Sequence, residues 1–430
     1  MKLTWKFDFK SFIFNDLLAL PVSNQDNETI KSLVELEKLS YLCLITQYGQ
    51  TQQIDKPVSI KLKFAHFMVR VLNLTFILRL ICFLTMTDKT MQTIVADPVI
   101  NTPNREILIV LQLFIVIVML VVREYILYLE NNRKFLILRK LYHIRKNGFS
   151  SDYLNLTERQ FMFFKRNLHF ILINSLRFSK LTIVLLPFFG TGVRLNNPDS
   201  LATNSLIISA CFWSITEGLT FIFLYSGGIL TVTYIFILML LYFCQLRSLV
   251  ESTQNKIKCL TDQNNQLGVA ITLKSLNYQS TSFLNQFDQL NSDFKYLWLN
   301  NVIVFSFLAD SFIFFGAIVH INSDYLSDVL TYVGFFVLFM CAVGGYAGGV
   351  FHQKLMYLHI HYVRLLTFSS AHIQDSFKAL EIVDRIMHPD TGASVGDFTV
   401  LKREFIVYYI LENASTIMLL SCDVRSAISI

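Results

Sequence analysis

Seven long apolar stretches dominate the chain and restrict what it can fold into. Each is close to the roughly 20 residues that a helix needs to cross a bilayer. Lipid offers no hydrogen-bond partners to the backbone, so such stretches are expected to be helices. Of the 430 residues 53% are hydrophobic and 16% are charged, whereas about a quarter of a soluble domain is charged. We therefore predict an all-α polytopic membrane protein. The predicted spans are Phe64–Met86, Ile107–Leu129, His169–Gly190, Gly218–Leu246, Leu299–His320, Leu330–Phe351 and Phe405–Val424.

The positive charges alternate from one loop to the next. Of the 37 Lys and Arg residues, 28 lie in the segment before the first span and in the second, fourth and sixth loops. The opposite side carries only Lys89, Arg105, Arg194 and Arg425. Lys and Arg in short loops are retained in the cytoplasm. The pattern predicts a cytoplasmic N-terminus and a short outer C-terminus.

One further apolar run, Leu206–Ser214, precedes the fourth predicted span. It could be an eighth crossing, a re-entrant segment or the outer extension of a long fourth helix. An eighth crossing would break the charge alternation, so we favour the extension.

The long cytoplasmic connectors carry helical patterns. In the segment 250–295 large apolar residues recur at spacings of three, four and seven, and a second stripe continues the sixth span. We interpret both as membrane helices that extend into the cytoplasm and pack together, rather than as helices lying on lipid. The predicted organisation is residues 1–63 as a cytoplasmic segment, 64–246 as membrane helices one to four, 247–298 as a connector, 299–351 as helices five and six, 352–404 as a second connector, 405–425 as the pore-lining helix and 426–430 as an outer tail.

The sequence contains no local motif of an enzyme or of a cofactor site. It has neither a glycine-rich phosphate-binding loop nor the paired cysteines or histidines of a zinc site. His352, His359 and His361 do not share one helix face, so we interpret them as ordinary helix-surface histidines. We therefore predict no catalytic activity, no cofactor, no metal site and no nucleic-acid partner.

Charged residues inside membrane spans are costly and usually mark function. Arg177 and Lys180 lie in the third predicted span, and Asp310 lies in the fifth. At a rise of about 1.5 Å per residue their depths match, so we expect Asp310 to pair with Arg177 or Lys180. Such a pair either fixes the helix register or lines a polar cavity that admits a ligand. Glu217 in the fourth span and Arg79 in the first are weaker candidates.

The last predicted span carries polar residues at helical spacing. Tyr409, Thr416, Leu420 and Asp423 are separated by seven, four and three residues, and Glu412 is expected on the same face. A membrane helix that keeps two acidic residues needs a wet face, which a cation-conducting pore supplies. The alternative is a helix packed inside the bundle.

The architecture resembles the insect gustatory and odorant receptor superfamily, and the topology match covers nearly the whole chain. Members have seven spans, a cytoplasmic N-terminus, long cytoplasmic helix extensions and a very short outer C-terminus. The family signature in the last span is Thr, Tyr, five apolar residues, Gln and Phe. The stretch 416–424 corresponds to it and retains the Thr as Thr416. The lead-in at 396–409 is also similar to that of gustatory receptors, and a divergent or gustatory-receptor-like member fits this pattern.

The resemblance implies a gustatory-type chemosensory receptor that acts as a ligand-gated, non-selective cation channel in the plasma membrane, with sensory neuron dendrites as the expected location. Its small-molecule tastant would bind in the outer half of the helix bundle. Four related subunits, as a homo- or hetero-tetramer, would surround one central pore with their last helices. Carried over by position, Asp423 replaces the pore Gln, and Leu420 forms the constriction one turn deeper. The competing interpretation is a secondary transporter of a small solute, with helix breaks at Gly227–Gly228, Gly344–Gly345 and Gly348–Gly349.

Overall fold

The computed structural model describes residues 25–51, 58–100, 105–195, 203–263, 266–319, 324–368 and 373–428. Almost all of these residues are helical, and they include one antiparallel hairpin of two short strands. The chain divides into two compact units, which are described separately. The first comprises Met1–Leu154 and Phe161–Leu241, and the second comprises Asn155–Gln160 and Tyr242–Ile430.

Within the described residues, seven helical segments are long and apolar enough to cross a membrane, which confirms the predicted number of spans. Each predicted span overlaps one of them, although several helices extend well beyond the apolar stretch. The segments are Ile60–Thr85, Arg105–Asn131, Glu158–Leu185, Asn204–Lys258, Leu273–Ile318, Ser327–Thr367 and Phe405–Cys422.

The first unit is built from helices that follow one another with short connections. Its helices are α1 (Gln25–Leu42), α2 (Ile60–Thr85), α3 (Lys89–Ile94), α4 (Arg105–Asn131), α5 (Leu136–Asn147), α6 (Ser151–Leu154), α7 (Glu158–Leu195), α8 (Asn204–Phe221) and α9 (Gly227–Gln263), of which α7 begins and α9 ends in residues of the second unit. A wide helical turn, Ile222–Ser226, joins α8 to α9 without interruption. The run Leu206–Ser214 therefore lies in α8 as the extension of a long fourth helix, as predicted.

The membrane part of the first unit packs around aromatic and aliphatic side chains of α2, α4 and α8. Phe76 and Phe221 meet edge to face with their ring centroids 6.2 Å apart. Lipid tails are as apolar as these side chains, so close van der Waals packing between the helices, rather than exclusion of water, stabilises this core. The fully or largely buried members of this core are Phe76, Leu80, Phe83, Ile109, Val116, Phe221 and Leu224.

The N-terminal helix α1 contacts α7 through polar side chains. Three side-chain contacts join the two helices, and their partners advance along both helices in the same direction. They are Asp26 with Lys165, Thr29 with His169, and Glu35 with Lys180. The third predicted span therefore has a polar neighbour along part of its length.

The second unit contains the remaining helices and the hairpin. They are the C-terminal part of α9, α10 (Gln266–Ile313), a wide helical turn Phe314–Ile318, α11 (Asp324–Phe368), α12 (Ile373–Met387), β1 (Ser394–Val395), β2 (Thr399–Val400) and α13 (Phe405–Ile428). In the hairpin, Ser394 pairs with Val400 and Val395 pairs with Thr399.

The cytoplasmic extensions predicted from the sequence pack as expected. Phe287 on α10 stacks on Phe351 on α11 with their ring centroids 4.6 Å apart. The Ser280 and Tyr362 hydroxyl groups lie 2.6 Å apart in the same interface. Both apolar stripes are buried. This confirms that the two helices pack together and do not lie on the lipid surface. Their buried members are Leu276, Phe283, Phe287, Leu290 and Phe294 on α10, and Leu355, Leu358, Tyr362 and Leu365 on α11.

The glycine pairs suggested as helix breaks lie inside continuous helices. Gly344–Gly345 and Gly348–Gly349 belong to the uninterrupted α11, and Gly227–Gly228 begin α9 directly after the wide turn. Their small size permits close packing instead. A Cβ at Gly349 would lie 2.8 Å from the Cα of Arg403, in the segment that leads into α13. The expectation of breaks at these positions was therefore wrong.

Candidate functional site

A buried arginine and a buried glutamate meet between two membrane helices of the first unit. Arg79 Nη1 on α2 lies 3.7 Å from Glu217 Oε2 on α8, and their side chains are only 2% and 5% exposed. The guanidinium group also lies between two aromatic rings, 4.8 Å from the centroid of Phe83 and 4.4 Å from that of Trp213. Cation–π contacts of this kind strengthen when water is excluded.

The same arginine binds the backbone of the turn after α3. Arg79 Nη2 donates to the carbonyl oxygens of Val95 at 3.0 Å and Ala96 at 2.7 Å. Ala96 has a φ of +55°, which is uncommon for a residue other than glycine. The turn therefore adopts a conformation that presents carbonyl groups to the arginine.

A second arginine fixes this turn from its other side. Arg105 donates through Nε to Asp97 Oδ2 at 2.6 Å and through Nη2 to the Phe83 carbonyl at 2.7 Å. Asp97 Oδ1 in turn accepts from the Val99 N–H at 3.0 Å. The connection between α2 and α4 is thus held by charge-assisted hydrogen bonds, which are about twice as strong as neutral ones.

This cluster (Arg79, Phe83, Trp213 and Glu217, called the arginine cluster below) combines a cation, a carboxylate and two aromatic faces. Within the first unit these groups satisfy one another, and together they join α2, α8 and the turn after α3. The sequence had marked Glu217 and Arg79 only as separate weaker candidates. Arg79 and Glu217 are far apart in the chain, which is why spacing alone did not pair them.

The other intramembrane charges lie elsewhere. Lys180 Nζ lies 2.5 Å from Glu35 Oε1 on α1, and both side chains are about half exposed. Lys180 thus has a carboxylate partner on α1, and its pairing with Asp310 stays a prediction. Arg177 is exposed on α7, and its pairing with Asp310 stays a prediction.

Asp310 lies in the second unit, on the face of α10 that meets the last helix. One turn before it, the Ser306 hydroxyl donates to the Tyr409 hydroxyl on α13 at 2.7 Å. Asp310 and Asn413 lie one turn further along their helices, and each is only 4% exposed. Among the described residues, neither Asp310 Oδ1 nor Asn413 Oδ1 has a hydrogen-bond partner. This interface between α10 and α13 is therefore polar.

The residues of α13 that share the predicted pore face differ in their exposure within the chain. Tyr409 is buried against α10, although its spacing grouped it with the predicted pore residues. Glu412 is exposed, whereas Thr416 and Leu420 are half-buried, and Thr416 Oγ1 donates to the Glu412 carbonyl at 3.0 Å. The side chain of Asp423 lies outside the described residues.

The hairpin holds the start of α13 to the part of α10 that precedes the fifth predicted span. Asn291 on α10 donates to Ser394 Oγ and accepts from the Ser394 N–H, both at 2.9 Å. Asp397 in the turn accepts from Lys295 and from Tyr296. These hydrogen bonds, that from Lys295 first, hold the pKa of the Asp397 carboxyl below its usual range.

Metal binding finds no support in the described residues, which contain no group of three or more His, Cys, Asp or Glu side chains suited to hold an ion.

The sequence matches no protein-family model and no curated protein. The fold is similar to that of the insect olfactory receptor OR5 from Machilis hrabei, solved in complex with eugenol. The TM-score is 0.61 at 12% sequence identity, over 91% of this chain and 97% of that one.

The chain has the fold of an insect olfactory receptor. The resemblance inferred from topology is thereby confirmed at the level of the fold. The gustatory type stays a prediction. The likeness spans both compact units, so it includes the seven membrane helices and the helical extensions beyond them.

Proposed function

We propose that this chain is a subunit of a gustatory-type chemosensory receptor, a ligand-gated, non-selective cation channel of the plasma membrane. The observation that carries the proposal is the olfactory-receptor fold over nearly the full length of both chains. That receptor was solved with eugenol, and by analogy the ligand here is a small-molecule tastant bound in the helix bundle. Sensory neuron dendrites are the proposed location.

The last helix supports the pore part of the proposal because it makes so few contacts within the chain. Only 11% of the most apolar stretch of this helix is buried within the chain, whereas 67% of the corresponding stretch of the fourth membrane segment is buried. A helix that leaves most of its surface open is available to line a shared pore. We propose that Glu412, Thr416, Leu420 and Asp423 line it, with Leu420 closing the path by excluding water.

An exposed apolar stripe on α12 supports assembly from several subunits. Ile373, Phe377, Leu380 and Met387 are all exposed and follow a helical spacing, while the opposite face packs on the chain itself. Contiguous apolar surface outside a bilayer usually marks an interface. We propose that related subunits cover this stripe in a homo- or hetero-tetramer.

Ligand binding is proposed at intramembrane polar residues of the bundle. The arginine cluster supports a role for Glu217, because a cation, a carboxylate and aromatic faces converge there. Asp310, Arg177 and Lys180 are the further polar positions proposed near the ligand or in the register of the helices.

Whole-cell currents from cells that express the chain, alone and with related receptor subunits, test the proposal. A panel of tastants should evoke cation currents. Asp423→Lys should abolish the cation current or lower its selectivity, and Leu420→Ala should raise the basal leak. Met418→Ala, on the opposite and exposed side of α13, is the matched control and should conduct like wild type.

Surface expression must be measured for each variant, since misfolding would also remove current. Unchanged selectivity and leak at normal surface level would remove Asp423 and Leu420 from the pore. If the wild type reaches the cell surface but shows no current with any ligand or partner subunit tried, the proposed channel function is contradicted.

A further inference from the structure

The short helix α5 presents opposite faces of very different character. Ile137, Leu138, Leu141 and Ile144 form one face and are at most 1% exposed. At 100° per residue, Arg139 and Lys146 lie on the opposite side, and both are exposed. The apolar face fixes the helix to the rest of the unit, so its basic face has a fixed direction.

A third basic residue borders this face. Lys140 Nζ lies 4.7 Å from the centroid of the Tyr153 ring, which stacks on His143 at 3.4 Å. Arg139, Lys140 and Lys146 are called the basic face of α5 below. Arg145 does not belong to it, because it pairs with Glu37.

Among the described residues, none of the three members of the basic face forms an ion pair with a carboxylate. Asp152 is the only acidic residue between Asn131 and Thr157. Partial burial lowers the pKa of the Lys140 ammonium, and the nearby positive charge of Arg139 lowers it further. Positive charges are thus brought together without an opposing charge from the neighbouring chain.

The connection to α4 limits how far α5 can lie from the bilayer. The membrane helix α4 ends at Asn131 and α5 begins at Leu136, so four residues join them. The turn between them folds back on the end of α4, because the Lys134 N–H donates to the Leu129 carbonyl at 2.9 Å. Leu136 follows Lys134 by two residues, which span at most about 7 Å even when extended. The polar headgroup region adds roughly 5–7 Å to each side of the hydrocarbon core. Arg139 and Lys140, at the start of α5, therefore lie near the headgroups that border the predicted span.

We propose that the basic face of α5 binds the phosphate groups of anionic lipids in the cytoplasmic leaflet of the membrane that the chain spans. Charge complementarity selects this partner, because clusters of Lys and Arg directly after a membrane helix attract anionic headgroups. The proposal rests on the predicted cytoplasmic side of this loop and does not require channel activity. A soluble inositol phosphate is the alternative source of the same phosphate chemistry.

The test measures thermal unfolding of the purified full-length protein in neutral detergent. Dioctanoyl phosphatidylinositol 4,5-bisphosphate should raise the melting temperature, whereas dioctanoyl phosphatidylcholine should not, since a ligand stabilises the state that binds it. R139Q/K140Q/K146Q should weaken the apparent affinity by about 100-fold, at roughly fivefold for each charge removed. R139K/K140R/K146R keeps the charges and should respond like wild type.

Several outcomes would overturn the proposal: an equal response to phosphatidylcholine, an undiminished response of the Gln variant, or a response that 1 M salt does not weaken. A stronger response to free inositol trisphosphate than to the lipid would assign the site to a soluble ligand instead. If the triple Gln variant does not fold, R139Q and K146Q singly must each weaken binding severalfold. Because no current is measured, a failed channel assay would leave this result unaffected.

Discussion

The hydroxyl of Ser306 on α10 lies 2.7 Å from the hydroxyl of Tyr409 on α13, and this hydrogen bond joins the fifth membrane helix to the last one. One turn earlier, Val302 on α10 and Phe405 on α13 both pack against the buried side chains of Ala393, Val395 and Leu401. Tyr409 is thus an internal anchor of the last helix.

Removing this hydrogen bond should loosen the last helix. Tyr409→Phe keeps the ring and removes the hydroxyl, at a cost of about 1 kcal/mol in the free energy of unfolding. Ser306→Ala should cost a similar amount, and the double variant should cost less than the sum, because the two side chains share one contact. Thermal unfolding in detergent checks the coupling. Strictly additive costs would mean that the two hydroxyls do not interact.

Close packing at Gly349 predicts a second effect on the segment before α13. An alanine Cβ there would lie 2.8–2.9 Å from backbone atoms of Arg403 and Lys402, which cannot give way as a flexible side chain can. We expect Gly349→Ala to lower the free energy of unfolding by about 1–3 kcal/mol.

Gly344→Ala is the matched control on the same helix. Its Cβ would meet only the Trp298 ring at 3.7 Å, an ordinary contact. Alanine favours a helix over glycine by up to about 1 kcal/mol, so Gly344→Ala should leave the free energy of unfolding unchanged or slightly raised. Equal melting temperatures for the two variants would contradict the backbone clash.

The sequence predicted those features that follow from the local pattern. Apolar length located the seven spans, and helical spacing located the buried stripe of which Phe283 and Phe287 are part. Both predictions depend on neighbours within a few turns of helix, where periodicity is informative. The glycine pairs were misread because a glycine in a helix looks the same whether it breaks the helix or admits a neighbour.

Features held by distant partners could not be predicted. The hairpin is fixed by Asn291, about a hundred residues earlier in the chain. Arg79 finds its partners in the Ala96 carbonyl and the Trp213 ring, and a carbonyl has no signature in a sequence. Spacing grouped Tyr409 with the pore residues because periodicity defines a face but not what that face meets.

Membrane sidedness gives a third prediction. Because Lys and Arg alternate between the loops, the N-terminus is expected in the cytoplasm and the C-terminus outside. An epitope tag at the N-terminus should stain only after permeabilisation, whereas a C-terminal tag should stain intact cells. Surface staining of the N-terminal tag on intact cells, with a cytoplasmic marker unstained, would reverse the topology.

Glu130 gives a fourth prediction, since its carboxylate holds the loop after α1. It is fully buried and accepts backbone N–H groups from Gln47 at 2.6 Å, and from Tyr48 and Gly49 at 2.9 Å each. Glu130→Gln removes the charge and turns one acceptor into a donor that faces an N–H. Hydrogen bonds to charged groups contribute about 1.5–3 kcal/mol each, so we expect a loss of roughly 3 kcal/mol. Glu106→Gln, at an exposed position of the same helix, is the control and should leave the melting temperature unchanged. Equal melting temperatures of the Glu130→Gln and Glu106→Gln variants would show that Glu130 does not hold the loop.

The buried pair of Arg79 and Glu217 gives the last prediction. Arg79→Ala removes the hydrogen bonds to two carbonyl groups and leaves Glu217 charged in a buried position, so it should cost about 3–5 kcal/mol and lower surface expression. Glu217→Gln should be milder, because Arg79 keeps its carbonyl partners. Arg79→Gln combined with Glu217→Gln should cost less than Arg79→Ala, since no uncompensated charge remains.

Lys63→Ala is the control on the same helix, because Lys63 is exposed and directly precedes the predicted span. Substitutions at such surface positions usually change the free energy of unfolding by no more than about 0.5 kcal/mol, so this variant should reach the surface normally. Surface biotinylation and thermal unfolding in detergent compare the four variants. If Arg79→Ala behaves like Lys63→Ala, the buried pair does not stabilise the C-terminal end of α2. The turn at Ala96 would then have to be held by Arg105 and Asp97 alone.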